Sequence, residues 1–171
     1  MDDAIEFVGA RLDGSGAAVV LHDELTLFGD RVQLVQIFSN LLSNAAKYGR
    51  AGVSPVIDIT ASTLDETARG REIWRQYDVD RTSPAVIAVR DNGIGVPEEH
   101  REHIFEVFRR LHGHDEFGGG SGAGLTIARR IAERHGGALW IEPNRPHGST
   151  FLLALPRDAV DDLPRNEPVA T

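Results

Sequence analysis

The sequence predicts an α/β fold, a two-layer sandwich in which a mixed, mostly antiparallel sheet carries helices on one face. Stretches with the apolar spacing of helices alternate with short apolar runs that are typical of strands. Some of these strand-like runs are separated only by a turn, as in a hairpin. Because a sandwich accommodates both hairpins and helices, it fits this pattern better than a doubly wound parallel sheet does.

The composition indicates one ordinary globular domain. The chain has 171 residues, of which 41% are hydrophobic and 26% are charged, enough for a single core. Its formal net charge of −8 argues against nucleic acid or an anionic membrane as a partner. Without cysteine, it has no disulfide framework and no thiolate nucleophile. No apolar run approaches the ~20 residues of a membrane span, so we expect a cytoplasmic protein without membrane contact from this segment.

The first half of the chain contains two expected helices and two expected strands. Residues 3–12 have helical apolar spacing, and residues 17–21 form a short apolar run typical of a strand. Asp30 is the expected N-cap of a long helix that runs to Tyr48 and is closed by Gly49. Residues 56–61 alternate between apolar and polar, which predicts a second strand.

The second half begins with residues 62–83, which are too long for a hairpin connection and are interpreted as an insertion before a strand at 85–89. Pro97 is expected to open a short helix that carries Ile104, Phe105 and Phe108. The remaining segments are a helix at 124–135, strands at 138–141 and 150–155, and a polar tail at 157–171 that we expect to be disordered.

Two asparagines lie four residues apart in the long, otherwise apolar helix. Asn40 and Asn44 therefore share one helical side with Lys47. A carboxamide oxygen of Asn44 suits Mg²⁺, which takes few protein ligands, and Lys47 is placed to meet a phosphate. The alternatives are that both amides bond loop backbone, that Lys47 is a solvated helix end and that Tyr48 packs on the core.

Two glycine-containing motifs follow downstream. Asp91 comes directly after a strand, and Gly93 and Gly95 keep the next turns free of side chains, so the carboxylate could accept a hydrogen bond from an adenine amine. Glycines from Gly118 to Gly124 precede a helix, where exposed N–H groups can cradle phosphates. Each motif alone has a plainer interpretation, a turn for the first and a linker for the second.

Taken in order, these motifs resemble the catalytic and ATP-binding domain of sensor histidine kinases, within the superfamily of gyrase, heat-shock chaperone, histidine kinase and MutL. Residues 40–48 are similar to its asparagine box, 91–95 to its first glycine box, 105–108 to its phenylalanine box and 120–125 to its second glycine box. Residues 148–151 match its closing strand, and residues 108–117 are similar to kinases attached to phytochromes and PAS-type sensors.

The resemblance implies a Bergerat-type ATP-binding domain over residues 1–156, with a mobile lid at 109–121 and Phe105 and Phe108 at its hinge. ATP and Mg²⁺ are the implied cofactors, with Asn44 and Asn40 as the metal site. The implied catalytic residues are Asn40, Asn44, Lys47 and Arg110. The implied nucleotide-binding residues are Asn44, Lys47, Tyr48, Asp91, Gly93, Gly95, Gly120, Gly122, Gly124, Leu125 and Thr150.

The implied reaction transfers the γ-phosphoryl group of ATP to a histidine on a dimerisation domain absent from this chain, with a response regulator receiver domain as the downstream partner. The run His22-Asp23-Glu24-Leu25 superficially copies an acceptor motif, but it follows a strand-like run, so we interpret it as a surface loop. Two alternatives stay open at this point, a serine kinase of the anti-sigma class and a non-catalytic nucleotide-sensing module of the same fold.

Overall fold

The computed structural model describes residues 16–22, 26–27, 29–63, 85–106, 122–156 and 160–161. Its main sheet has five strands in the spatial order β1-β3-β4-β6-β5. In chain order the strands are β1 (Ala18–Leu21), β2 (Thr26–Leu27), β3 (Val56–Thr63), β4 (Ala85–Asp91), β5 (Ala138–Pro143), β6 (Ser149–Leu155) and β7 (Val160–Asp161).

The strand pairing confirms the mixed, mostly antiparallel sheet. β1 and β3 are parallel, whereas β3–β4, β4–β6 and β5–β6 are antiparallel. β2 and β7 form a separate antiparallel pair, so part of the segment expected to be a disordered tail is a short strand. β4 occupies the middle of the main sheet, and its last residue, Asp91, is therefore held at the end of a central strand.

In the part of the chain that the structure describes, two α-helices cover the sheet, α1 (Arg31–Lys47) and α2 (Gly124–Arg134). Asp30 is the N-cap of α1 as predicted, because its side chain accepts a hydrogen bond from the Gln33 N–H at 3.1 Å. That bond is the main reason why the pKa of the Asp30 carboxyl is lowered from 3.8. Among the helices of the described residues, none has the length and hydropathy needed to cross a bilayer.

The core lies between the helices and one face of the sheet. Alternate strand residues such as Ile57, Val89 and Leu153 pack there against Phe38 and Ala128 of the helices. A smaller buried cluster on the other face is formed by Val86, Ala138, Trp140 and Ala154. Helices on one face of the sheet are thus confirmed, and Asp91 shares the helix-covered face because it follows Val89 by two residues.

One expected element differs. The short helix expected to begin at Pro97 is two separate 3₁₀ turns, Glu98–His100 and His103–Phe105. Each turn closes through its own backbone bonds, Arg101 N–H to Glu98 and Glu106 N–H to His103, so the pattern never propagates as an α-helix. The helix expected at 3–12 and most of the 62–83 insertion lie outside the described residues.

Candidate functional site

Asp91 ends β4 as a buried carboxylate with only 7% of its surface exposed. Its Oδ1 atom accepts backbone N–H groups from Gly93 at 2.8 Å and from Ser149 at 3.1 Å. Burial raises the pKa of the Asp91 carboxyl above 3.8, and the two backbone donors offset part of that rise. Within the described part of the chain, hydrogen bonds reach only Oδ1, which leaves Oδ2 available to a ligand.

The turn after Asp91 packs against the C-terminal end of α1. The Ile94 N–H donates to the Tyr48 carbonyl oxygen at 3.0 Å. A side chain at Gly93 would collide with that same carbonyl, so glycine permits the close approach. Tyr48 is the C-cap of α1, and its N–H donates to the Asn44 carbonyl at 3.0 Å. The asparagine helix and the aspartate turn are therefore one contiguous structure.

The polar side of α1 carries two amides with unused bonding capacity. Asn40 Oδ1 accepts from Gln36 Nε2 at 3.2 Å, whereas Asn40 Nδ2 is buried without a hydrogen-bond partner. No hydrogen bond of the Asn44 side chain is found among the described residues. Among the described residues, neither amide side chain bonds loop backbone. A buried amide without a hydrogen-bond partner is costly. An unpaired amide on this half-buried helix side therefore indicates a group that a bound ligand could satisfy.

Helix α2 begins directly against Asn40. A Cβ atom placed on Gly124 would lie 3.0 Å from Asn40 Oδ1, so a larger residue would press on the amide. Ala123 caps the helix without a side-chain hydrogen bond, and no acidic residue lies in the first turn. Helix geometry leaves the N–H groups of Gly124, Leu125 and Thr126 without intrahelical acceptors, and the dipole makes this end favourable for an anion.

Other expected residues lie around the same point. Lys47 ends α1, with Nζ 5.1 Å from the centroid of the Tyr48 ring. Gly95 lies in the turn that follows Asp91, and Gly122 lies two residues before α2 begins. Leu125 packs partly against the core. Arg110, Gly120, Phe108 and the expected lid at 109–121 lie outside the described residues.

The structure brings Ser149, rather than the expected Thr150, into contact with the Asp91 side chain. Ser149 follows the same alternation as Phe151, which packs in the core on the helix-covered face, whereas Thr150 belongs to the opposite face. Thr150 is in register with Arg90 rather than with Asp91. Alternation along β6 identifies a face only once the strand is placed in the sheet, so the sequence alone does not distinguish Ser149 from Thr150.

Two further residues were missed, and both support the aspartate turn. Asn92 Oδ1 accepts the Val56 N–H at 3.0 Å, and Asn92 Nδ2 donates to the Ser54 carbonyl at 3.1 Å, which fixes the turn to the start of β3. Asn144 Nδ2 donates to the Asp91 carbonyl oxygen at 2.8 Å from the turn between β5 and β6. The position of Asn92 beside Asp91 could have indicated its role, but nothing local marks Asn144.

Comparison with known proteins shows which family this chain resembles. The model of the family described as histidine kinase-, DNA gyrase B- and HSP90-like ATPase matches residues 29–159. The cyanobacterial phytochrome B of Nostoc sp. (strain PCC 7120) is 38% identical over 152 residues, which cover 88% of this chain and 18% of the relative. This chain thus spans less than a fifth of the length of that relative.

Two solved structures give the same result. The mycobacterial sensor histidine kinase MprB has a TM-score of 0.66 at 25% identity and covers 91% of this chain and 90% of its own. Full-length ShkA, solved in complex with AMPPNP, has a TM-score of 0.66 at 25% identity and covers 91% of this chain and 28% of its own. The chain therefore belongs to the histidine kinase-, DNA gyrase B- and HSP90-like ATPase family and, within it, to the catalytic ATPase domains of sensor histidine kinases.

Proposed function

We propose that this domain binds Mg·ATP between Asp91, the asparagine side of α1 and the start of α2, and passes the γ-phosphoryl group to a histidine of a dimerisation domain. The observation that carries the proposal is the contact network joining these three elements. It runs from Asp91 through Gly93 to Tyr48, along α1 to Asn40, and from there to Gly124.

Adenine recognition is assigned to Asp91. Its buried carboxylate keeps one oxygen on backbone donors and leaves the other for the exocyclic amine of the base. Guanine carries a carbonyl oxygen where adenine carries that amine, so an ionised Asp91 disfavours GTP. The bonds from Gly93 and Ser149 hold the carboxylate in place before the base arrives.

The two asparagines fit Mg²⁺. The described residues contain no cluster of three histidine, cysteine or acidic groups that could hold a metal by themselves, so the ion would rely on amide and phosphate oxygens. Asn44 would supply a carboxamide oxygen, and the orphaned Asn40 Nδ2 would donate to a metal-bound water or a phosphate oxygen. When bound, the ion neutralises charge on the phosphates and orients them.

The C-terminal end of α1 and the N-terminal end of α2 are proposed to position the phosphates. Lys47 brings a cation to the last residue of α1, and the free N–H groups of the first turn of α2 meet anionic oxygens. Arg110 is proposed as a second phosphate contact on the strength of its motif. Groups that position the phosphates and stabilise their charge suit phosphoryl transfer, because positioning and charge stabilisation dominate its catalysis.

The acceptor is proposed to come from another segment of the parent kinase. An imidazole nitrogen there attacks the γ-phosphorus, the bond to the bridging oxygen breaks, and ADP leaves while a base outside this chain takes the imidazole proton. A response regulator receiver domain would accept the group next. We further propose a cytoplasmic location, which agrees with the absence of cysteine.

A labelling experiment tests the transfer. The chain is incubated with γ-labelled ATP, Mg²⁺ and dimerisation helices of its parent, and we expect label on a helix histidine. The product should lose its label in acid and keep it in base, as phosphohistidine does. An acid-stable product on a serine would favour the anti-sigma class instead, and nucleotide binding without any transfer would favour the sensing module.

A further inference from the structure

The turn between β5 and β6 contacts the backbone of Asp91 as well as its side chain. Asn144 Nδ2 donates to the Asp91 carbonyl oxygen at 2.8 Å across 53 residues of sequence. The Asn144 N–H in turn donates to the Gly148 carbonyl at 3.1 Å, which closes the turn and fixes where the Asn144 side chain begins. Asn144 is half-buried, whereas Arg145, Pro146 and His147 in the same turn are exposed.

The ladder between β4 and β6 ends at this point, which gives the Asn144 amide a specific role. The last registered pair of that ladder is Arg90 with Thr150, so Asp91 lies one position beyond it, although Asp91 is still in register with Ile57 of β3 on its other side. Its side-chain Oδ1 takes the Ser149 N–H, and its carbonyl oxygen takes Asn144. A buried carbonyl without a donor is unfavourable, so the Asn144 amide serves this carbonyl where the ladder has ended.

Close packing makes this arrangement rigid. Gly148 has a φ of +102°, and a Cβ at that position would collide with the Asp91 carbonyl and lie 3.0 Å from Asp91 Oδ1. The turn is therefore in close contact with Asp91, the residue that carries the carboxylate. Asp91 is held from two sides, by Gly93 behind it and by the 144–149 segment beside it.

We propose that Asn144 is a positioning residue for adenine recognition: by holding the Asp91 backbone, it aims the free carboxylate oxygen at the base. The proposal rests on the proposed function of the site. Asn144 itself does not touch the nucleotide, so its effect must pass through Asp91 and must be specific to adenine.

The test compares ATP and GTP affinities by calorimetry for the full chain and for Asn144→Ala, Asn144→Asp and His147→Ala. Asn144→Asp keeps the shape of the side chain but removes the donor, and His147→Ala is the control in the same exposed turn. We expect both Asn144 variants to bind ATP about tenfold more weakly, as for the loss of one hydrogen bond, with little change for GTP. The control should match the parent.

A double-mutant cycle separates positioning from general stability. In an Asp91→Asn background, Asn144→Ala should have no further effect on ATP affinity, because the group it positions is gone. A general loss of structure would lower both affinities together and leave their ratio unchanged.

An unchanged ATP-to-GTP ratio in the Asn144 variants overturns the proposal, as does an undiminished effect in the Asp91→Asn background. If neither Asn144 variant folds, the residue serves folding and the proposal fails as well. A parent chain that binds no ATP would instead overturn the proposed function itself.

Discussion

Asp91 shows how a single residue combines burial with local donors. Its carboxylate is removed from water, which disfavours the charged form, while the N–H groups of Gly93 and Ser149 favour it. The net effect is a raised pKa, because burial is the larger of the two influences. The proposed recognition of adenine requires an ionised Asp91, so under this proposal the burial of the carboxylate lowers the free energy of unfolding in favour of function.

The raised pKa of Asp91 predicts a particular dependence of stability on pH. Between 3.8 and the raised native value, the native state binds this proton more tightly than the unfolded state does. The contribution of Asp91 to the free energy of unfolding is therefore fully present below 3.8 and is lost as the pH rises through the native pKa. Relative to an Asp91→Asn variant, the parent should lose stability over that window and then level off.

Urea unfolding of parent and Asp91→Asn across a range from about pH 4 to about pH 8 measures this difference. A parent that gains stability relative to the variant as the pH rises would show that the native pKa is lowered, and that the backbone donors outweigh burial.

Asn44 is the residue at which we predict an effect on Mg²⁺-dependent ATP binding. Replacing it by alanine should weaken ATP binding in the presence of Mg²⁺ by about tenfold, with little change when a chelator is present. The reason is that its side chain makes no hydrogen bond among the described residues and is free to hold an ion. Calorimetry with and without Mg²⁺ makes the comparison, with Ser43→Ala as the neighbouring control. Equal losses in both conditions would remove Asn44 from the metal site.

At the scale of elements, Arg129 of α2 contacts the second 3₁₀ turn and the residue before it. The Arg129 guanidinium carbon lies 4.8 Å from the centroid of the Phe105 ring, and its NH1 atom lies 3.2 Å from Glu102 Oε2. The Arg129 Nε atom lies 3.6 Å from Glu133 Oε1. Only 21% of the Arg129 side chain is exposed, so its apolar stem is buried as well.

Arg129→Ala should lower the free energy of unfolding by about 1–2 kcal/mol, because it removes a partly desolvated cation–π contact and side-chain packing together. Arg130 is the matched control, since it is the next residue of α2 and is exposed. Its replacement by alanine should stay within about 0.5 kcal/mol of the parent. Equal effects of the two substitutions in chemical denaturation would show that the contact with Phe105 contributes nothing.

At the scale of the molecule, the sheet separates His22, the histidine of the acceptor-like motif, from the site. His22 follows β1 and is exposed, and its Nε2 atom lies 2.9 Å from Asp58 Oδ1. Asp58 alternates with Ile57 and Ile59, which face the helices, so its side chain belongs to the opposite face. Asp91 is on the helix-covered face, as Val89 is.

We therefore expect the isolated chain not to phosphorylate itself appreciably, despite its seven histidines. A histidine nucleophile must meet the γ-phosphate in line, and His22 lies on the wrong face for that geometry. Mass spectrometry under neutral conditions after incubation with Mg·ATP is the measurement. Stoichiometric phosphohistidine at position 22 would contradict both the separation of the two faces and the external acceptor.

The sequence alone predicted most elements of the described residues and identified the family, because both depend on local patterns. Apolar spacing and the Asp30 cap define α1, alternation defines β3, and the order of the asparagine and glycine motifs indicates the family. Only the tertiary structure decided which face each strand residue occupies. It brings Ser149 rather than Thr150 to the Asp91 side chain, it places Asn144 on the Asp91 carbonyl across 53 residues, and it replaces the short helix expected after Pro97 by two 3₁₀ turns. These features arise from pairing and packing between distant segments, for which a local pattern carries no signal.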